Sequence, residues 1–222
     1  MIVIGIVGVP AGGKSTVAAQ LADLGATWIN ADQIAHQVLQ SADVAAQVVH
    51  YFGADVLDEK GHVDRRKLGA HVFGDDDSAV RGLRYLESLV HPRTAQIIQE
   101  KLAAAASANV AAVVLDVPLL FEKQWANQCD EVWYIDTAYP VQLAAAQRRG
   151  WTAAELRLRQ SRQMSSQEKR RLSTRVISND ESLQVLKSRV EKTWRDCVNA
   201  SAIEGLQSSS ENHCHRSQPR GH

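Results

Sequence analysis

The sequence predicts an α/β fold, a parallel sheet flanked by helices, and three observations predict it. Residues Gly8 to Ser15 read GVPAGGKS and follow the apolar run Ile2-Val3-Ile4-Gly5-Ile6-Val7. Strand and helix patterns alternate along most of the chain, the arrangement that builds a parallel sheet with helices on its faces. Val110 to Val117 is apolar with no charge before Asp116, as a strand buried on both faces requires. A strand that breaks into G-x-x-x-x-G-K-S and then into a helix is the phosphate-binding P-loop, so the fold class is that of the P-loop NTPases.

Ile2–Val7 is the first strand. In the loop after it, glycines let backbone N–H groups turn inward around a phosphate. Lys14 brings a point charge to the β/γ-phosphates, and Ser15 can ligand Mg²⁺. The helix that begins at Lys14 aims its positive end at the same anion. Gly8, Ala11, Gly12, Gly13, Lys14, Ser15 and Thr16 are therefore the expected nucleotide-binding residues. The alternative is a Gly-rich turn without a ligand, and the flanking strand and helix argue against it.

That helix stops near Leu24-Gly25, with glycine in its usual C-terminal role. Ala26 to Asn30 reads as a short second strand, expected next to the P-loop strand, with Asp32 just beyond it. Residues 33–109 read as mostly helical, amphipathic over Ile34–Gln40, Val44–Phe52, Arg65–Phe73 and Ser78–Lys101. A hairpin-like insert, Val56–Val63, separates two of these stretches. Within them His91-Pro92 is expected to open a new helix at the proline, which leaves the histidine as a buried or capping group or as a substrate contact. Further strands are expected at Val110–Val117, Glu131–Asp136 and Arg175–Asn179, and helices at Pro140–Arg149 and from Glu181 to about Ile203.

The expected organisation is one domain over residues 1–203. Its core is 1–32, 110–147 and 175–203, with a helical insert at 33–109 and an arginine-rich lid at 148–174. Residues 204–222 are expected to form a disordered tail, being polar and almost devoid of large apolar residues. Its His213, Cys214, His215 and His222 leave a weak metal site as the alternative.

The 222 residues carry a formal net charge of zero, which gives no support to a general nucleic-acid or membrane-surface role. No apolar stretch approaches a membrane span, and the N-terminus lacks a basic region followed by a cleavable apolar segment. Cys129, Cys197 and Cys214 show no metal spacing and read as reduced cytoplasmic thiols. A cytoplasmic monomer or weak homo-oligomer with small-molecule substrates, and with no nucleic-acid or membrane partner, is expected.

In such sheets ligands sit beyond the carboxyl ends of the strands. Lys14, Ser15, Asp32, Asp116 and Asn179 are placed there and are expected to converge on one crevice. Asp32 can accept the proton of a substrate hydroxyl or hold that hydroxyl in line; the alternative is an N-cap for the helix at Gln33. Asp116 can hold a water of the Mg²⁺ shell, as a Walker-B-like carboxylate, or can be a strand-end turn residue. From Arg148 to Arg175 the only acids are Glu155 and Glu168 among many cations. A lid closing over a triphosphate has that composition, and so has a solvated basic helix face. Arg148, at the start of this segment, is its expected catalytic member.

Several segments together resemble the dephospho-CoA kinase family. They are the P-loop GVPAGGKST, INADQIAHQV, the pair His91-Pro92, DVPLLFE at Asp116–Glu122, QR at Gln147-Arg148, RQ at Arg162-Gln163 and VISN at Val176–Asn179. They run in consistent order from Ile2 to about Trp194, and DVPLLFE is the most discriminating. The resemblance implies an ATP-dependent kinase that phosphorylates the ribose 3′-hydroxyl of dephospho-CoA, giving coenzyme A and ADP. It implies Asp32 near the acceptor hydroxyl, Ala11 to Thr16 at the ATP site, and Arg148 and Asn179 at lid and adenine-side positions. It also implies that the helical insert receives the CoA moiety, with His91 and Leu119 near it. Asn30, Thr174 and Glu181 stand where the family usually has Asp, Asp and Gly, and Pro10 and Gly12 depart from the usual GGIGSGKST loop. Another nucleoside or small-metabolite P-loop kinase, or a non-catalytic ATP-binding regulator, are the competing functions.

Overall fold

Five strands form one sheet in the order β2-β3-β1-β4-β5. They are β1 (Ile2–Gly8), β2 (Thr27–Asn30), β3 (Ala112–Asp116), β4 (Glu131–Asp136) and β5 (Arg175–Ser178). β1 runs parallel to β3 and β4, and β4 parallel to β5. The computed structural model describes residues 1–74 and 76–214, with side chains described through 199. The chain divides into two compact units, Met1–Ile29 with Ala105–His222, and Asn30–Ala104.

The strand order corrects one expectation. β2 is not the neighbour of the P-loop strand, because β3 lies between them. Burial gives the reason. Every residue of β3 is buried, whereas β2 is four residues long and buries only Ile29 fully. A strand buried along its whole length takes an interior place, and the short, half-exposed one takes the edge.

In the first unit, α1 (Lys14–Asp23) and α9 (Leu183–Cys214) cover one face of the sheet. Side chains alternate along β1, so Ile2, Ile4 and Ile6 share that face with Val17 and Leu21 of α1 and Val190 of α9. Burying each such side chain contributes about 1.5–3 kcal/mol. Gly5 points the opposite way, where a Cβ would lie 2.8 Å from the Cys129 sulfur and 3.1 Å from Leu120 Cδ1. This unit also holds α6 (Tyr139–Arg148), α7 (Ala153–Ser161) and α8 (Ser166–Leu172). Thr152 and Glu155 form a capping box that starts α7. α9 continues past Ile203, the expected end of the last helix, to Cys214. The expected tail therefore falls partly within α9, and its residues 215–222 lie outside the described residues, as do the side chains of His213 and Cys214.

The second unit contains α2 (Ala31–Gln40), α3 (Ala42–Phe52), α4 (Arg65–Val72) and most of α5 (Asp77–Ser107). The expected hairpin is one antiparallel bridge, Leu57 with Val63. The Gln40 side chain clamps it, donating to the Val63 carbonyl at 2.9 Å and accepting from its N–H at 3.1 Å. Asp64 then caps α4, accepting from Arg66 N at 2.8 Å. Pro92 does not open a helix as expected: α5 is continuous through it. A proline in a helix interior frees the carbonyl four residues back, here that of Ser88, at a cost of about 3 kcal/mol. The apolar residues on both sides, from Val90 to Ile98, outweigh the local rule, with Ile98 1% exposed.

Candidate active site

The P-loop is built by a turn that its sequence pre-forms. Gly12 N–H donates to the Val9 carbonyl at 3.1 Å, which places Pro10 and Ala11 at the two central positions of a four-residue turn. Ala11 has φ 57. Proline at the first central position and positive φ at the second are the marks of a type II turn. Pro10 is thus a pre-set corner of the loop. Gly12 is required for space: a Cβ there would meet Val9 Cγ2 at 2.8 Å and the Val9 carbonyl at 2.9 Å. Gly13 is required for conformation, with φ 86. α1 begins immediately after it, and Ser15 and Thr16 in the first turn are exposed. Lys14 folds across the loop, its ammonium donating to the carbonyls of Val9 at 3.0 Å and Gly8 at 3.3 Å.

One peptide of the loop is held from behind. The carbonyl of Gly12 accepts the Thr137 hydroxyl at 2.8 Å and the Asn179 Nδ2 at 3.2 Å. A trans peptide points its N–H opposite to its C=O. Anchoring the Gly12 oxygen therefore directs the Gly13 N–H away from Thr137 and Asn179. Asn179 reaches this place because it directly follows β5 and its own N–H donates to the Asp136 carbonyl at 2.7 Å. Asp116 ends β3 one residue after the Gly5–Leu115 pair and is 9% exposed. Lys14, Ser15, Asp116 and Asn179 thus all lie at or beyond the carboxyl ends of first-unit strands, while Asp32, expected with them, belongs to the second unit.

The basic segment 148–175 divides into residues with different roles. Arg170 pairs with Asp136, Arg171 with Glu168 at 2.6 Å, and Arg175 with Glu131 at 2.6 Å. Arg159 lies over the Trp151 ring at 4.2 Å and Arg149 at 5.7 Å. Lys169 is buried and donates to Gln163 Oε1 at 2.7 Å; burial lowers its pKa, and the Glu122 carboxylate works against that. Glu122, the last residue of DVPLLFE, also accepts from Met164 N–H at 2.7 Å. This ties the turn between α7 and α8 to the segment after β3. Arg148, Arg157 and Arg162 are exposed. Leu119 is half-buried in the first unit with φ 60.

The second unit carries a cleft of about 710 Å³, within the range of small-molecule sites. Leu39, Leu68, Val72, Leu83, Leu86 and Val90 supply its apolar wall, and Asp32, His36, Arg65, Arg66, Glu87 and His91 its polar groups. Asp32 and His36 are one helical turn apart on α2 and so share a face. The N-cap of α2 is Asn30, whose Oδ1 accepts from Gln33 N at 2.9 Å. Asp32 is therefore not the cap; it lies exposed in the first turn and lines the cleft. His91 is exposed and mid-helix, which excludes both the buried and the capping readings. Arg65 and Arg66 occupy the first turn of α4, where the helix end is itself positive.

Sequence reasoning missed Thr137 as a support of the P-loop and Glu122 as a support of the α7–α8 turn, and Arg65 and Arg66 as cleft residues. Paired arginines at a helix start, against the dipole, were the available signal for the latter. Two departures from the family pattern have plain structural roles. Thr174 Oγ1 bonds both the N–H and carbonyl of Val132 at 3.0 Å, and Glu181 pairs with Arg189.

The dephospho-CoA kinase family model matches residues 2–184. A dephospho-CoA kinase of Rhodopirellula baltica is 40% identical over 189 residues, covering 85% of this chain and 88% of the relative. One of Symbiobacterium thermophilum is 38% identical over 215 residues, covering 96% and 88%. Among solved structures, a Thermus thermophilus protein superposes with a TM-score of 0.72 at 30% identity, over 88% of this chain and 97% of the other. The dephospho-CoA kinase of Campylobacter jejuni gives a TM-score of 0.68 at 23% identity, over 90% and 98%, a likeness of fold.

Proposed function

The chain belongs to the dephospho-CoA kinase family, and from that premise we propose how its residues divide the work. The reaction is ATP-dependent phosphorylation of the ribose 3′-hydroxyl of dephospho-CoA. The hydroxyl oxygen bonds to the γ-phosphorus, the bond from that phosphorus to the β–γ bridging oxygen breaks, and ADP and coenzyme A leave.

The P-loop of the first unit takes the ATP phosphates. The observation that carries this is the Gly12–Gly13 peptide, held by Thr137 and Asn179 so that its N–H is a pre-aimed donor. Lys14 exchanges its bonds to loop carbonyls for phosphate oxygens, and Arg148 contributes charge from the lid. A hydroxyl at Ser15 and one carboxylate at Asp116 suit Mg²⁺, which keeps several waters and takes few protein ligands. When bound, the ion would neutralise charge on the phosphates.

The cleft of the second unit takes dephospho-CoA. Its apolar wall suits the pantetheine arm, and Arg65 and Arg66 suit the diphosphate, since guanidinium forks match phosphate oxygens. Asp32 accepts the proton of the 3′-hydroxyl or holds it in line, and His91 and Leu119 contribute to the acceptor side. Asn30 frees Asp32 for this by capping α2. Cys129 and Cys197 are thiols rather than members of a disulfide, which suits a reducing compartment, and we propose the cytoplasm for the reaction.

The test is an acceptor screen with purified protein. ADP release coupled to dephospho-CoA, with nucleosides and shikimate as controls, is the expected result. ADP release with another acceptor would favour a different small-metabolite kinase, and ATP binding without any phosphorylated product a regulator.

A further inference from the structure

The lid helix α7 and the P-loop are joined by hydrogen bonds that run through a buried glutamine. Gln142, in α6 and 6% exposed, donates its Nε2 to the main-chain carbonyl of Thr137. Its Oε1 accepts from Gln160 Nε2 of α7 at 2.8 Å. Thr137, 4% exposed, passes the connection on by donating its hydroxyl to the Gly12 carbonyl. The direction of each bond is determined chemically. A peptide carbonyl only accepts, so the Gln142 nitrogen must face Thr137. Its oxygen then faces Gln160, which must present its own nitrogen. An apolar contact joins the same two elements: Leu156 of α7, fully buried, clusters with Ala11 of the P-loop and Ala146 of α6. Leucine or methionine would fill the space at Gln142 without the cost of burying an amide. The polar chain therefore does something that packing alone would not.

We propose that Gln142 is a positioning residue that makes α7 and the Gly12–Gly13 peptide one mechanical unit. The position of the lid helix then governs the aim of the Gly13 N–H, and nucleotide held by the loop in turn biases the lid. This rests on the reading of the P-loop as the ATP site. Donors held in place beforehand cost no reorganisation as charge develops, so loss of the connection reaches the nucleotide even though Gln142 does not touch it.

The experiment is a double-mutant cycle with Gln142→Met, Gln160→Met and the pair, read as ATP affinity by titration and as kcat and KM for both substrates. Gln160 is half-buried, so its variant remains informative if Gln142→Met folds poorly. Each single variant is expected to weaken ATP binding about 5-fold or more and to lower kcat, with KM for dephospho-CoA unchanged. The double variant is expected to be no more than about twofold worse than either single one, as members of one network behave. Multiplicative effects in the pair, or unchanged ATP affinity in folded Gln160→Met, would overturn the proposal. ATP titration reads the coupling whichever acceptor is phosphorylated, so failure of the dephospho-CoA assignment remains a separate result.

Discussion

Asn179 stands so close to Gly13 that a Cβ built on the glycine would lie 2.5 Å from its Nδ2, while the same nitrogen donates to the Gly12 carbonyl at 3.2 Å. The asparagine thus occupies the space behind the loop that a side chain at Gly13 would need. Gly13→Ala adds the left-handed backbone penalty, about 1–2 kcal/mol, to the displacement of Asn179. The expected outcome is ATP affinity reduced at least about 10-fold, measured by calorimetric titration, with stability to urea lower by about 2–3 kcal/mol. Removing the clash alone, with Gly13→Ala/Asn179→Ala, should not restore affinity, because the Gly12 carbonyl loses a donor.

Lys14 donates to the carbonyls of Gly8 and Val9, so its ammonium already lies over the loop that is to hold phosphate. Lys14→Ala should reduce kcat by about 10²–10³, the scale of removing one preorganised charge stabiliser, and should raise KM for ATP. Steady-state ADP release checks it. Wild-type kinetics would contradict the assignment of this loop to ATP.

Asp32 lies in the first turn of α2 with the capping role taken by Asn30. Asp32→Asn keeps size and helix geometry but removes the proton acceptor. Turnover should fall by about 10²–10⁴ while ATP affinity stays within about twofold, an order-of-magnitude expectation from general acid–base catalysis. Equal loss of both would mean that the variant disturbs the protein more widely than the acceptor side.

Part of this site was legible because its chemistry is local. The P-loop announces itself through spacing, and Asp32 through its place after a strand. Arg148 could be singled out only as the end of a helix, which is where it stands. What could not be read depends on partners far along the chain. Thr137 meets Gly12 across 125 positions, and nothing near Thr137 marks it as a P-loop support. The place of β2 at the sheet edge follows from competition among strands for the interior, which no single strand encodes. Gln142 looks like an ordinary polar residue of a helix until Gln160 is brought to it.

Pro92 sits inside the continuous helix α5, where it deprives the Ser88 carbonyl of its helical donor. Alanine at this position would supply that N–H and remove the ring. Against a gain of about 3 kcal/mol stands the smaller unfolded-state entropy of proline, about 0.4–1 kcal/mol, with part of the gain lost to local readjustment. Pro92→Ala should therefore raise stability by about 1–2 kcal/mol, seen as a higher urea midpoint with unchanged slope. A lower midpoint would show that the surrounding packing depends on the proline ring.

Glu131 and Arg175 form a two-point ion pair, with Nε and Nη2 each 2.6 Å from a carboxylate oxygen. The same carboxylate accepts the Trp133 indole N–H at 2.6 Å. Burial alone would raise the Glu131 pKa, but the hydrogen bonds from Arg175 and Trp133 and the arginine charge hold it below its ordinary value. A carboxyl whose folded pKa is depressed binds its proton more tightly in the unfolded chain. Its contribution is therefore complete above the unfolded value, about 4.3, and is lost as pH falls through the lower, folded value. Glu131→Gln should destabilise the protein at pH 7 by about 1.5–3 kcal/mol, the range for a hydrogen bond to a charged group. The difference between variant and wild type should shrink as pH falls below about 4.3. Urea unfolding at pH 7, 5 and 3.5 measures this, and a difference that stays constant across the three would remove the Glu131 carboxylate from the acid limb of the stability curve.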